Sequence, residues 1–145
     1  MSGLGHLLAD SLSRVTDQAV SSDARTVRVG LLGCGNVGGA LVPLLRAQRD
    51  AIAARTGLNL VVTSVAVRNM SRDRGVELGD VSLTNDAMAV VSDPEIDVVV
   101  EVIGGIEPAR ELIVAALSAG KPVVTGNKEL LANHGAEMLE LADSN

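Results

Sequence analysis

Apolar and polar positions follow two different periodicities along this chain of 145 residues. Short apolar runs rich in β-branched residues predict strands that are buried on both faces of a sheet. Between these runs, apolar residues recur every three or four positions, as they do on one face of a helix. Strands and helices therefore alternate, which predicts an α/β fold of the Rossmann type, a doubly wound parallel sheet with helices on both faces.

The boundaries of the elements follow from glycine, proline and capping residues. We expect Pro43 to kink the first helix, and either Asn85 or Asp86 to cap the second. Pro108 and Gly120 mark the start and end of the third helix. The predicted strands cover residues 27–33, 58–68, 81–84, 96–105 and 121–126, and the predicted helices cover residues 36–56, 85–92, 107–120 and 128–144.

The first 25 residues differ from the rest of the chain. Their apolar residues fall at helical spacing and are followed by a polar stretch; they are Leu4, Leu7, Leu8, Leu12 and Val15. This pattern predicts an N-terminal extension, residues 1–25, that is either partly disordered or a short amphipathic helix. Residues 26–145 are predicted to form a single domain.

Composition narrows the possible partners. The net charge is -6, without a dense Lys/Arg cluster, and Phe, Tyr and Trp are absent, so we expect no binding to nucleic acid. No long apolar run or signal peptide is evident, which predicts no membrane segment and a cytoplasmic location. The single cysteine, Cys34, agrees with a reducing compartment. His6 and His134 have no ligands at suitable spacing, so we predict no metal site.

The sequence "GCGNVG", residues 33–38, lies between the first strand and the first helix. In this context a G-x-G-x-x-G motif indicates a dinucleotide-binding loop. Gly33 permits the tight turn, Gly35 lets a diphosphate approach the backbone, and Gly38 allows close packing of helix and strand. The N–H groups of Asn36, Val37 and Gly38 would then face the diphosphate.

Arg68 stands at the end of the second strand, where dinucleotide-binding folds distinguish their cofactors. NAD-binding folds usually carry Asp or Glu there, whereas an arginine accommodates the 2′-phosphate of NADP. No carboxylate occurs before Asp73, and Arg72 and Arg74 lie close by. The sequence therefore predicts that NADP(H) is preferred and NAD(H) is possible, although Arg68 is alternatively a solvated loop residue.

Two further strand ends carry candidate residues. The fourth strand runs into Gly104 and Gly105, which predict either a backbone surface for the nicotinamide ribose or a plain turn before a helix. Glu101 precedes them, and as a single carboxylate without an evident partner it is interpreted as structural. After the fifth strand, Asn127 is predicted to cap the last helix, which places Lys128 at the positive end of that helix.

The segments "GLLGCGNVG" and "VVVEVIGGIEPARELIVAALSAGKPVVTGNKELLA", together with Arg68, resemble the homoserine dehydrogenase family over residues 26–143. The resemblance implies reversible NAD(P)H-dependent reduction of L-aspartate 4-semialdehyde to L-homoserine, in threonine and methionine biosynthesis. It also implies that Thr125 and Asn127 line the nicotinamide end, and that Lys128 is catalytic, orienting the substrate and moving protons. Gly126 departs from the usual alanine of the family, which loosens the backbone there.

Members of this family continue into a substrate-binding and dimerisation domain and form homo-oligomers. The resemblance therefore implies that these 145 residues are the cofactor-binding half, able to bind NADP(H) but inactive alone, with L-homoserine and L-aspartate 4-semialdehyde as substrates of the complete enzyme. Two alternatives remain. One is a non-catalytic NAD(P)-sensing regulatory domain, which normally carries an acidic residue in place of Arg68. The other is a related amino-acid dehydrogenase, such as aspartate dehydrogenase.

Overall fold

Five parallel strands form one sheet in the computed structural model, which describes residues 24–145. The strands are β1 (Arg25–Leu32), β2 (Leu58–Ala66), β3 (Ser82–Thr84), β4 (Val98–Glu101) and β5 (Val123–Thr125). The helices are α1 (Asn36–Ala47), α2 (Arg49–Thr56), α3 (Ala87–Ser92), α4 (Ala109–Ser118) and α5 (Lys128–Ser144). The predicted fold class is thus confirmed. The interpretation of the N-terminal extension lies outside the described residues, except that β1 begins at Arg25.

The order of strands in the sheet is β3-β2-β1-β4-β5, with every neighbouring pair parallel. The chain first builds outward from β1 to β3 and then returns to the other side of β1 with β4. Between β1 and β4 the winding therefore reverses direction. In open α/β sheets, such a reversal leaves a crevice at the carboxyl ends of the strands, which is the usual place for a ligand.

The central strand is buried on both faces, as the continuous apolar run predicted. Leu31 and Leu32 are both 0% exposed. Leu31 belongs to a cluster with Val42 of α1, whereas Leu32 belongs to a separate cluster with Val90 of α3. The two clusters cover opposite faces of the sheet, because consecutive side chains of a strand point to opposite sides.

The helix predicted over residues 36–56 is divided into two helices. Helix α1 continues through Pro43, and the break lies at Gln48, between α1 and α2. The N–H of Gln48 donates within α1 and its carbonyl accepts from α2, so this residue ends one helix and begins the next. On either side, Arg46 donates to the loop before β3 and Arg49 donates to β2. These tertiary contacts fix the break, and no local pattern encodes them.

Two other boundaries are settled by the structure. The Asp86 carboxylate accepts a hydrogen bond from the Ala89 N–H at 2.9 Å, so Asp86 rather than Asn85 caps α3. Strand β4 is shorter than predicted and ends at Glu101. The chain then turns through Gly104 and Gly105, whose φ values of 81° and 73° are incompatible with a strand.

Candidate functional site

The loop between β1 and α1 has the backbone that its glycines predict. Gly33 adopts a φ of 96°, and its N–H donates to the Ala66 carbonyl at 2.9 Å. At Gly38, an added Cβ would lie 2.2 Å from the Gly33 carbonyl oxygen, so only glycine allows the helix to pack this closely. At Gly35, an added Cβ would meet nothing within 4 Å. The space over Gly35 is therefore open to an approaching ligand.

The N-terminus of α1 faces this open space without a side-chain cap. Gly35 is the N-cap residue, and the first helical hydrogen bond runs from the Gly39 N–H to the Gly35 carbonyl at 2.8 Å. The N–H groups of Asn36, Val37 and Gly38 precede that bond and so have no partner within the helix. Such groups, at the positive end of a helix dipole, suit a phosphate or diphosphate.

A cavity of about 370 Å³ opens beside the glycine loop at the carboxyl ends of β1, β2 and β4. Within residues 24–145, no Asp or Glu side chain lines it. Three sequence-predicted site residues are brought together here: Gly33, Gly35 and Arg68. Its further lining residues are Cys34, Ala66, Val67, Asn69, Arg72, Arg74, Asn85, Ala87, Val102, Ile103 and Pro108.

Several of these lining residues escaped the sequence prediction. Asn69, Asn85, Val102 and Ile103 were not named as site residues, yet each follows shortly after the end of a strand. In a parallel sheet, the carboxyl ends of neighbouring strands meet at one edge. A position just after a predicted strand was therefore the only available sign that these residues line the cavity. This sign is independent of the type of residue.

The loop after β2 brings three arginines to the cavity. The Arg74 guanidinium donates to the carbonyl of Arg72 at 2.7 Å and to the carbonyl of Asn69. Arg74 therefore holds the loop in shape. Arg68 and Arg72 are exposed and line the same cavity. The result is a concentration of positive charge in a chain whose net charge is -6.

The ends of β4 and β5 are joined through Glu101, a carboxylate that is 0% exposed. Its Oε1 accepts the N–H of Ile103 at 2.7 Å and that of Gly104 at 3.3 Å. Its Oε2 accepts the hydroxyl of Thr125 at 2.5 Å. Sequence reasoning interpreted Glu101 as structural and found no partner. Thr125 is that partner, 24 residues further along the chain.

Asn127 is only 5% exposed, and the protein uses both ends of its side chain. Its Oδ1 accepts the Leu130 N–H at 3.1 Å, which confirms the predicted cap of α5. Its Nδ2 donates to the Gly105 carbonyl at 2.5 Å. Lys128 follows as the first residue of α5 and is exposed. Gly104, Gly105, Thr125, Asn127 and Lys128 thus form a second group, which does not line the cavity.

The space around Gly126 does not require glycine at this position. An added Cβ would meet the Val102 side chain at 3.7 Å, an ordinary contact, so alanine would fit. The backbone is also held there, because the Gly126 N–H donates to the Glu101 carbonyl at 3.1 Å. The loosening expected from Gly126 is therefore limited by the sheet itself.

Two other properties concern residues 24–145 as a whole. None of their His, Cys, Asp and Glu side chains form a group of three or more that could hold a metal ion. Instead, the His134 Nδ1 lies 3.6 Å from the Glu137 carboxylate on the same helix. No helix in this part of the chain is long and apolar enough to cross a membrane.

Comparison with known proteins places this geometry in a family. The family model described as "Homoserine dehydrogenase, NAD binding domain" matches residues 33–145. The homoserine dehydrogenase of Methylobacillus glycogenes is 46% identical over 117 residues, which cover 81% of this chain and 28% of that protein. The homoserine dehydrogenase of Bacillus subtilis is 39% identical over 121 residues and is also covered to 28%. The chain thus spans just over a quarter of the length of these relatives.

Solved structures agree with the family match. The homoserine dehydrogenase of Thiobacillus denitrificans superposes with a TM-score of 0.79 at 45% identity, over 83% of this chain and 28% of that one. A hyperthermophilic archaeal homoserine dehydrogenase in complex with NADPH gives a TM-score of 0.66 at 26% identity, over 83% of this chain and 41% of that one. Neither a sensing domain nor aspartate dehydrogenase is favoured by these comparisons.

Proposed function

This chain belongs to the family of homoserine dehydrogenase NAD binding domains, and from that premise we propose that it binds NADP(H) in preference to NAD(H) across the carboxyl edge of its sheet. We further propose that it serves as the cofactor-binding part of an enzyme that interconverts L-homoserine and L-aspartate 4-semialdehyde. The chain spans 28% of the length of each of these two relatives, so we assign substrate binding to the complete enzyme.

The diphosphate of the cofactor would lie on the N-terminus of α1. The N–H groups of Asn36, Val37 and Gly38 are the donors, and the open space over Gly35 admits the phosphates. The cavity of about 370 Å³ would receive the adenosine half. The nicotinamide half would extend past the reversal point of the sheet, toward the ends of β4 and β5.

The preference for NADP(H) is carried by one observation. At the end of β2, the cavity is lined by three arginines, and no Asp or Glu of residues 24–145 lines it. A carboxylate there would pair with the ribose hydroxyls of NAD but repel a 2′-phosphate, whereas a guanidinium can bind the phosphate through two hydrogen bonds. The archaeal relative solved with NADPH supports the same cofactor.

The nicotinamide end would be bounded by the second group of residues. Gly104 and Gly105 offer backbone without side chains, and Thr125 and Asn127 hold the turn that follows β5. When bound, the cofactor supplies or accepts the hydride. Lys128, exposed at the start of α5, would orient the substrate and transfer protons at its Nζ.

The wider setting follows from the family. We infer a place in threonine and methionine biosynthesis, through the two metabolites that homoserine dehydrogenases interconvert. We also infer a homo-oligomer for the complete enzyme. A cytoplasmic location agrees with the single cysteine, Cys34, which is free and buried.

Titration with NADPH and NADH tests the proposal directly. The chain contains no Phe, Tyr or Trp, so nicotinamide fluorescence is measured against almost no protein background. We expect tighter binding of NADPH. Substitution Arg68→Ala should weaken NADPH binding about tenfold, the loss expected for one charge-assisted hydrogen bond, and leave NADH binding unchanged.

Arg55→Ala is the matched control, because Arg55 is an exposed arginine of α2 that does not line the cavity. It removes the same charge and should change neither affinity. Equal affinities of the unsubstituted chain for NADPH and NADH would contradict the preference. If neither NADPH nor NADH bound to the chain, the proposed function itself would be contradicted.

A further inference from the structure

Glu101 combines full burial with a position beside the proposed nicotinamide site. It is 0% exposed, and no Lys, Arg or His of residues 24–145 forms an ion pair with it. A buried carboxylate without a cation is costly unless hydrogen bonds replace its water. The bonds it receives therefore define what it does.

Within residues 24–145, the Glu101 carboxylate accepts every hydrogen bond that its side chain makes. The N–H groups of Ile103 and Gly104 donate to Oε1. The Thr125 hydroxyl accepts the Asn127 N–H at 3.0 Å, so its own proton is directed to Oε2 of Glu101. This pattern suits the ionised carboxylate, which only accepts hydrogen bonds.

These bonds tie two separate loops to one side chain. Ile103 and Gly104 lie in the loop after β4, and Thr125 is the last residue of β5. A second hydrogen bond joins the same two segments, because the Asn127 side chain donates to the Gly105 carbonyl. In contrast, within residues 24–145 no side-chain hydrogen bond of Glu101 reaches the glycine loop or the loop that carries Arg68.

Building on the function proposed above, we propose that Glu101 is a positioning residue for the nicotinamide half of the cofactor site. It holds the backbone of Gly104 and Gly105 and the turn of Thr125 to Asn127 in register with each other, and so fixes where Lys128 begins α5. It acts on the cofactor only through these groups. Of the groups it holds, Ile103 alone also lines the cavity proposed for the adenosine half, whereas the glycine loop and the three arginines lie outside its side-chain hydrogen bonds.

Comparison of a whole dinucleotide with its adenosine half separates this role from general support of the fold. NADPH occupies both halves of the site, whereas 2′,5′-ADP carries only the adenosine and the 2′-phosphate. Glu101→Gln keeps the size of the side chain but turns one acceptor into a donor that faces other donors. We expect NADPH affinity to fall about tenfold or more and 2′,5′-ADP affinity to stay within about twofold.

The control is Glu140→Gln, which makes the same change on an exposed residue of α5 and should leave both affinities unchanged. Equal losses for NADPH and 2′,5′-ADP in Glu101→Gln would overturn the positioning role, and so would the absence of any loss. If the unsubstituted chain bound neither molecule, the proposed function would fail instead, which keeps the two failures distinct.

A second variant keeps the test decisive if Glu101→Gln does not fold. Thr125→Val has nearly the same shape and removes only the hydroxyl between Glu101 and Asn127. We expect the same selective loss of NADPH affinity. Where Glu101→Gln does fold, the loss in the double variant should not exceed that of the larger single variant, since both remove one shared bond. Fully additive losses would show that the two residues act separately and would overturn the proposal.

Discussion

The glycines of the first loop differ in what surrounds them. An added Cβ at Gly38 would lie 2.2 Å from a backbone oxygen, whereas one at Gly35 would meet nothing within 4 Å. The spacing of the motif predicted both positions, because each glycine serves a geometric need that the strand-loop-helix context already implies. Folding therefore depends on Gly38, and ligand access depends on Gly35.

Alanine substitutions should separate these two roles. Gly38→Ala is expected to lower the free energy of unfolding by about 1–3 kcal/mol, because the new Cβ cannot be accommodated without moving the Gly33 carbonyl. Gly35→Ala is expected to keep the unfolding free energy and to weaken NADPH binding roughly tenfold, or about 1.4 kcal/mol, because the Cβ occupies space meant for the diphosphate.

Urea unfolding followed by circular dichroism gives the first quantity, and fluorescence titration gives the second. Each variant acts as the control for the other. A stable Gly38→Ala chain would contradict the tight packing at that residue. Unchanged NADPH binding by Gly35→Ala would contradict the placement of the diphosphate.

Glu101 shows where residue-level prediction reaches its limit. Its partner Thr125 is distant in sequence and becomes a neighbour only when β5 pairs beside β4, with Glu101 opposite Thr125 in the register. The sequence revealed a carboxylate at a strand end, but a hydrogen bond across two strands requires their order and register. The same reason explains why Asn69 and Asn85 were missed as lining residues.

At the scale of elements, periodicity predicted the strands and helices because each has one or two buried faces. It failed at Gln48, where the break between α1 and α2 depends on Arg46 and Arg49 reaching other elements. The cap of α5 was predicted correctly, and the two candidates for the cap of α3 included the right one, because capping is local. Asn127 bonds to the third residue after it, and Asp86 does the same.

Helices α4 and α5 are joined by an ion pair that should make stability depend on pH. The Arg110 guanidinium contacts the Glu137 carboxylate at 2.6 Å and 3.0 Å. This hydrogen bond and the positive charge of Arg110 hold the pKa of Glu137 below its ordinary value of 4.5, although partial burial opposes the shift. The same hydrogen bond raises the pKa of Arg110.

A lowered pKa in the folded state means that the unfolded chain takes up its proton first as the pH falls. The stabilisation by the pair of Arg110 and Glu137 is therefore complete above pH 4.5, and it is lost as the pH falls through the lower pKa that Glu137 has in the folded state. Glu137→Gln should lower the Tm at neutral pH, and the difference from the unsubstituted chain should shrink at pH values below 4.5. Thermal unfolding followed by circular dichroism at a series of pH values measures both effects.

Glu140→Gln again supplies the control, since it lies on α5 and is exposed. Its Tm should follow that of the unsubstituted chain at every pH. A Glu137→Gln variant with a constant Tm difference down to strongly acidic pH would contradict the assignment of this pH dependence to the pair with Arg110.

At the scale of the whole molecule, the site has two groups of residues on either side of the reversal between β1 and β4. The glycine loop and the arginines lie on the side of β2, and the Glu101 network lies on the side of β5. From the sequence, the glycine loop and Arg68 were predicted to meet the phosphates, and the ends of the fourth and fifth strands were predicted to meet the nicotinamide. The strand order that places these groups on opposite sides of the reversal was not predicted. The shape of the cavity beside the first group could not be predicted either, because it depends on side chains from several loops.

The 145-residue chain alone is expected to bind the cofactor without turning over the substrate. It spans 28% of its relatives and has an exposed Lys128 at the edge of the sheet, with no carboxylate of residues 24–145 paired to it. Catalysis needs substrate held in a fixed geometry against the cofactor, which contributes many orders of magnitude in rate. We expect NADPH binding without measurable oxidation of L-homoserine, followed as formation of NADPH from NADP⁺ by absorbance. A full-length homoserine dehydrogenase is the positive control, and a rate in this chain that Lys128→Ala abolishes would contradict the prediction.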